Sequence, residues 1–190
     1  PTGVGKTSVS VKLAKKINAE IICCDSMQVY KNMDILTAMP EAKVFSKVRH
    51  HLFAIKKPAE KFSVAEYRKL AVEKINEVHS RNKNVIFAGG TGLYMRILLD
   101  GIFDSPPSDL KLRKKLYAQA KKYGSGYLRN KLRKIDSVSA GNIHVNDTRR
   151  IIRALEVYKK TGMPISQLKL NSKGGIFGLY PVSIFCLYYK

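Results

Sequence analysis

The sequence predicts an α/β fold, with a parallel sheet core entered through a phosphate-binding loop and an all-helical, basic insertion. Three observations lead there. The chain opens on Pro1-Thr2-Gly3-Val4-Gly5-Lys6-Thr7-Ser8, a glycine loop running into helical periodicity. Short apolar runs then alternate with helical segments, the pattern of strand–helix–strand units. After Pro106-Pro107 only helix signals remain as far as Ser172, and those residues hold 16 Lys+Arg against 4 Asp+Glu.

Taken in order, Val9, Leu13, Ala14 and Ile17 recur at helix spacing behind the loop. Ile21-Ile22-Cys23-Cys24 is short, apolar and β-branched, so a buried strand is expected to end at Asp25. Met33 to Lys61 reads as loop, broken by Pro40 and Pro58, with His50 and His51 on a site wall. Ser63-Val64-Ala65-Glu66 is a capping box that opens a helix carrying Tyr67, Leu70, Ala71, Ile75 and Val78 on one face. Asn84 to Ala88 reads as a second buried strand, followed by Gly89-Gly90-Thr91-Gly92 and a helix through Leu99. In such sheets ligands bind at the carboxyl ends of the strands, where Asp25 and this glycine cluster would both lie.

The insertion predicts a helix capped by Ser108 and stopped by Gly124, a second from Tyr127 to Ile135, and a third from Asn146-Asp147 to Tyr158 that ends at Gly162. Ile176 to Tyr189 reads as a strand returning to the sheet. The expected division is therefore 1–105 for the core, 106–172 for the insertion and 173–190 for the return strand.

A chain of 190 residues with 45% apolar and 26% charged residues can bury a real core, which excludes wholesale disorder. Its net charge of +21 points to a polyanionic partner. Three cysteines, two of them adjacent, build neither a disulfide framework nor a CxxC metal site, and fit a reducing, cytoplasmic compartment. The apolar stretch from Ile176 is too short to span a bilayer and carries Gly178 and Pro181, so no membrane association is expected.

The loop is the strongest chemical signal. Against the pattern GxxxxGK[ST], its first glycine would precede Pro1, so the chain reads as truncated at its start. Thr2, Gly3, Val4, Gly5, Lys6 and Thr7 would cradle phosphate oxygens, with Lys6 as a point charge and the Thr7 hydroxyl as a Mg²⁺ contact. The strand ending at Ala88 delivers glycines where an NTPase normally places a magnesium-positioning carboxylate, which argues against ordinary ATP or GTP hydrolysis. Asp25 stands where a base for an attacking nucleophile is wanted.

Asp25-Ser26-Met27-Gln28-Val29-Tyr30 follows that loop and precedes Gly89-Gly90-Thr91-Gly92-Leu93-Tyr94, with Asn146-Asp147-Thr148-Arg149-Arg150-Ile151-Ile152-Arg153-Ala154-Leu155-Glu156 further on. Together, in this order, these segments resemble the tRNA dimethylallyltransferases. The resemblance implies a P-loop NTPase-like core and transfer of a dimethylallyl group from its diphosphate to N6 of adenosine 37, beside the anticodon. It implies that Thr2 to Thr7 hold the donor's diphosphate, with Lys6 and Thr7 assisting catalysis. Asp25 would be the general base on N6, and Asp25, Ser26, Met27 and Gln28 would contact the target nucleotide. Thr91, Arg113, Arg149, Arg150, Ile151, Ile152 and Arg153 would contact the tRNA anticodon stem-loop. Mg²⁺ is the expected cofactor and a monomer the expected state. Two departures stand out, Leu36 and Met39, where the family usually has Gly and Lys around its Thr-Ala pair. The chain also stops short of a typical member. Rival readings are an isopentenyltransferase acting on free adenine nucleotides and a small-molecule or nucleotide kinase. The basic insertion favours RNA, because a mononucleotide needs no extended positive surface.

Overall fold

A computed structural model describes residues 3–188. The chain divides into two units, residues 1–101 with 175–190 and residues 102–174.

The first unit begins with α1 (Lys6–Lys16), turns at Asn18 and returns as β1 (Ala19–Cys23). Every β1 residue is buried, the charged Glu20 included, so the strand is covered on both faces rather than alternating between core and solvent. Next come α2 (Ala42–Phe45), β2 (His50–His51), α3 (Val64–His79), β3 (Asn84–Ala88) and α4 (Gly92–Asp100). The three strands form a parallel sheet in the order β2-β1-β3, with Ile21 opposite His50 and Ile86, and Cys23 opposite Ala88. Val11 and Ala14 of α1 pack with Ala19 and Ile21 in one apolar cluster. Tyr67, Ala71 and Ile75 of α3 join Ile22, Cys23, Tyr94 and Leu98 in another. Each fully buried aliphatic side chain here contributes about 1.5–3 kcal/mol relative to exposure.

Ser63 caps α3 as the sequence predicts, accepting from Glu66 N at 3.1 Å, while the Glu66 carboxylate pairs with Lys56 at 2.6 Å. Two expectations are corrected. His50 and His51 form a strand beside β1 rather than a loop, and His51 is buried against Glu20, with Nε2 and Oε2 2.6 Å apart. No strand forms between Ile176 and Tyr188, and the last residues, from Tyr189, lie outside the described part. Ile176 N instead donates to Leu98 O at the end of α4, and Ile184 and Phe185 are exposed. With Gly178 and Pro181 interrupting it, this apolar run lacks an unbroken ladder edge.

The second unit holds α5 (Leu110–Tyr123), α6 (Ser125–Ile135), α7 (Ser137–Asn142), α8 (Thr148–Thr161) and α9 (Ile165–Leu170). Where the chain enters and leaves this unit, β4 (Gly101–Ile102) pairs with β5 (Lys173–Gly174). Leu116, Leu128, Leu132, Ile151, Ile152 and Val157 form its core. The cap of α5 is Asp109, not Ser108, its carboxylate accepting from Leu112 N at 2.9 Å. Gly124 and Gly162 end α5 and α8 as expected. Helices α7 and α9 are six residues each, too short to leave a periodic signal in the sequence.

Candidate active site and basic helical cleft

Gly3 and Gly5 have φ of 82° and 79°, in the left-handed region that disfavours side chains. Left-handed residues of this kind are what lets successive backbone N–H groups of a loop converge on an anion, and Gly5 is also the N-cap of α1. Gly5 has no side chain with which to cap this helix, and the first turn contains no acidic residue, so the helix dipole gives its amino end positive character. Val4, Lys6 and Thr7 complete the loop, while Thr2 lies outside the described residues.

The eleven residues of α1 and the five of β1 each span about 16 Å. Because one short turn joins them, the carboxyl end of β1 returns to the level of the amino end of α1. Asp25 therefore stands on the same sheet edge as the glycine loop, and the parallel β3 delivers Gly89 to Gly92 to that edge too.

Backbone bonds lock the second and third segments together. Cys24 N donates to Ala88 O at 2.8 Å, and Thr91 N donates to Cys24 O at 3.1 Å. A side chain at Gly89 would place its Cβ 2.0 Å from Cys24 O, so only glycine allows this approach. The Thr91 hydroxyl accepts from Ser26 N at 2.9 Å and donates to Ser26 Oγ at 3.2 Å. Asp25 Oδ1 accepts from Met27 N at 2.9 Å, and among the described residues Oδ2 has no hydrogen-bond partner. The carboxylate is thus held by one oxygen, with the other available to take a proton.

The structure gives Gln28 a different immediate task from the one its motif suggests. Its Nε2 donates to Thr37 O and Ala38 O, both at 3.0 Å, tying down a loop in which Ala38 has φ of 49°. Met27 is exposed beside Asp25. Beneath them, the Tyr67 hydroxyl donates to Cys23 O at 3.0 Å, and its ring stacks on Tyr94 at 3.9 Å. Burial pushes the Cys23 thiol up to about 12 and the Cys24 thiol up to about 11, so both remain protonated and serve packing rather than nucleophilic chemistry.

The donor set at the loop suits a hard cation shared with a phosphate. Mg²⁺ commonly takes one or two protein oxygens beside substrate phosphates and waters, and the Thr7 hydroxyl is an oxygen of that kind. Among the described residues no group of three or more His, Cys, Asp or Glu side chains could hold a metal unaided.

In the second unit, Arg113, Tyr117, Arg149, Ile152 and Arg153 line one cleft of about 250 Å³. The structure thus brings together three of the arginines singled out by sequence. Arg150 lies outside that cleft, largely exposed and 3.2 Å from Asp147. Ile151 and Ile152 both pack into the helical core, Ile152 also lining that cleft, because α8 turns its apolar stripe inward there. Glu156 is the residue sequence reasoning missed. It is wholly buried, yet its carboxyl is held down to about 2. Burial pushes it up, but hydrogen bonds from Arg113, Arg153 and Asp109 N outweigh burial. Its position three residues after Arg153, on one helix face, was the available signal.

A glycine loop opening the first helix at the carboxyl edge of a parallel sheet defines a P-loop-like α/β protein. The family model described as "IPP transferase" matches residues 28–189, and the chain belongs to that family. It is 53% identical over 169 residues to the tRNA dimethylallyltransferase of Carboxydothermus hydrogenoformans, covering 87% of this chain and 54% of that protein. It is 47% identical to tRNA dimethylallyltransferase 2 of Geotalea daltonii, covering 89% and 52%. Among solved structures, a eukaryotic dimethylallyltransferase acting on tRNA superimposes with a TM-score of 0.73 at 34% identity, covering 90% of this chain and 43% of that one. The full-length tRNA isopentenylpyrophosphate transferase of Bacillus halodurans gives a TM-score of 0.53 at 46% identity, covering 86% and 55%. The chain spans about half the length of the curated relatives it matches.

Proposed function

We propose that the protein transfers a dimethylallyl group from dimethylallyl diphosphate to N6 of adenosine 37 in tRNA. The observation that carries this reading is the single sheet edge shared by the glycine loop, the amino end of α1 and the half-engaged carboxylate of Asp25. The N6 lone pair is delocalised into the purine ring, so the amine attacks poorly until its proton is removed. In this reading N6 bonds to the allylic carbon as the carbon–oxygen bond to diphosphate breaks, and Asp25 takes the N6 proton. General-base assistance of this kind is worth about 10²–10⁴ in rate. Lys6 and the loop N–H groups stabilise the charge building on the departing diphosphate. Thr7 would hold Mg²⁺, which when bound supplies further neutralisation of that charge. Thr91 and Ser26 fix the segment that carries Asp25.

The second unit suits the RNA part of the substrate, because it concentrates basic residues on helices and gathers Arg113, Arg149 and Arg153 around one cleft. Adenosine 37 would leave its stack to reach Asp25, and a loop base costs less to extrude than a paired one. Among the described residues no helix is long and apolar enough to cross a membrane. The unpaired Cys23, Cys24 and Cys186 fit a reducing cytoplasmic setting.

The test is incubation of the chain with Mg²⁺, radiolabelled dimethylallyl diphosphate and either an anticodon stem-loop bearing A37 or AMP. Label is expected in the RNA alone. Label in AMP would identify a free-nucleotide enzyme, and in a parallel incubation with ATP, phosphate transfer to AMP without prenylation would identify a kinase.

A further inference from the structure

One buried carboxylate organises two of the three cleft arginines. Glu156 Oε1 accepts from Arg113 Nε at 2.9 Å and from Asp109 N at 2.7 Å. Its Oε2 accepts from Arg113 Nη2 at 2.8 Å and from Arg153 Nη1. Arg153 is held again by Ser105 Oγ and by Pro106 O, the latter at 2.9 Å. Both guanidiniums are therefore fixed in one orientation, although about a third of each side chain stays exposed. Among the described residues, Arg113 Nη1 and Arg153 Nε carry no hydrogen-bond partner, so each fixed guanidinium keeps donor capacity.

Here two cations share one buried negative charge, leaving a net positive wall on a cleft that Arg149 and Tyr117 complete. Arginine is costly to order on binding because it has many rotamers, and holding two of them in place beforehand removes that cost from the encounter. Long-range attraction alone needs no such order, since mobile surface cations provide it equally well.

We infer that Glu156 is a positioning residue, which presets Arg113 and Arg153 as a phosphate clamp that distinguishes a folded anticodon stem-loop from unstructured RNA. The inference rests on the tRNA reading above. It separates two contributions from the basic unit: attraction for any RNA, set by total charge, and recognition of a shaped backbone, set by this triad.

The experiment compares binding of an anticodon stem-loop and of an oligouridine of equal length to the chain and its Glu156→Gln, Arg113→Gln/Arg153→Gln and triple variants. Glu156→Gln should weaken stem-loop binding about tenfold. Oligouridine binding should hold within twofold or tighten, because one negative charge is lost. In the triple variant, Glu156→Gln should add nothing to the loss already caused by Arg113→Gln/Arg153→Gln. Equal weakening of both RNAs, or full additivity in the triple variant, would overturn the inference and leave Glu156 as a structural residue. Circular dichroism checks folding. If Glu156→Gln does not fold, Glu156→Asp takes its place, keeping the charge while withdrawing the carboxylate, and the same outcomes decide. Wild-type protein that does not prefer the stem-loop would overturn the tRNA reading itself, whereas preference combined with additivity overturns only the role of Glu156.

Discussion

Asp25 and Gly89 serve the same sheet edge by different means, one chemical and one steric. Asp25→Asn keeps the shape that accepts from Met27 N but cannot take a proton at neutral pH. Single-turnover transfer is expected to fall by about two to four decades while donor and RNA affinities hold. Transfer within tenfold of wild type would remove Asp25 from the role of base. Gly89 has no chemistry to lose. An added Cβ would meet Cys24 backbone atoms at 2.0 and 2.2 Å, and a backbone carbonyl cannot rotate away as a side chain can. Gly89→Ala must therefore part β1 from the glycine turn, at a cost of about 1–3 kcal/mol or more. Chemical denaturation should reveal that loss together with weaker transfer, and an unchanged midpoint would contradict the packing described.

At the scale of elements, the sheet is fastened at its other end by a carboxylate inside β1. Glu20 is buried, with His51 of β2 2.6 Å away, Arg81 at 2.7 Å and Lys83 at 3.1 Å, so it ties β1 to β2 and to the turn between α3 and β3. Burial pushes its carboxyl up, but hydrogen bonds from Arg81, His51 and Lys83 prevail and hold it at about 2, against an ordinary value of 4.5. A depressed carboxylate favours the fold at pH values above its unfolded pKa, and that contribution fades as pH falls toward the folded one. Stability should thus decline between about pH 5 and pH 2, with Glu156 adding to the same limb because it too is held at about 2. Glu20→Gln should flatten the acid limb in urea unfolding measured from pH 6 to pH 3. An equally steep decline in the variant would assign acid sensitivity elsewhere.

For the whole molecule, the net charge of +21 sets how strongly the chain is drawn to any nucleic acid. Each phosphate contact made on single-stranded RNA should contribute about −0.7 to the slope of log affinity against log salt. Arg149 and Arg150 both lie on the exposed side of α8, and neither is tied to Glu156. Arg149→Ala/Arg150→Ala should therefore flatten the slope by roughly one unit, through attraction rather than shape. A salt titration of the anticodon stem-loop measures this directly, and an unchanged slope would make these two arginines a solvated surface.

Much of this protein is legible along the chain because its signals are local. Gly-x-Gly-Lys-Thr before a helical repeat, the short apolar runs Ile21 to Cys24 and Val85 to Ala88 at the ends of β1 and β3, and the Ser63 cap each need only a few neighbouring residues to declare themselves. The assignment of Asp25 to a strand end also followed from sequence, since the apolar run stops there. What required the tertiary structure was decided by partners distant in the chain. Nothing near Ile176 reveals that its neighbours meet the end of α4 instead of a strand, and the hydrophobicity of that segment is the same in either place. His50 and His51 become a strand because β1 offers them a ladder. Glu20 and Glu156 look like ordinary acids until folding brings up Arg81 and Lys83 to the one and Arg113, beside its own helix neighbour Arg153, to the other, and their hydrogen bonds outweigh the cost of burial. Local patterning thus determined the elements and the chemistry at their ends, whereas the buried charges, and the arginines they hold in place, were decided by long-range packing.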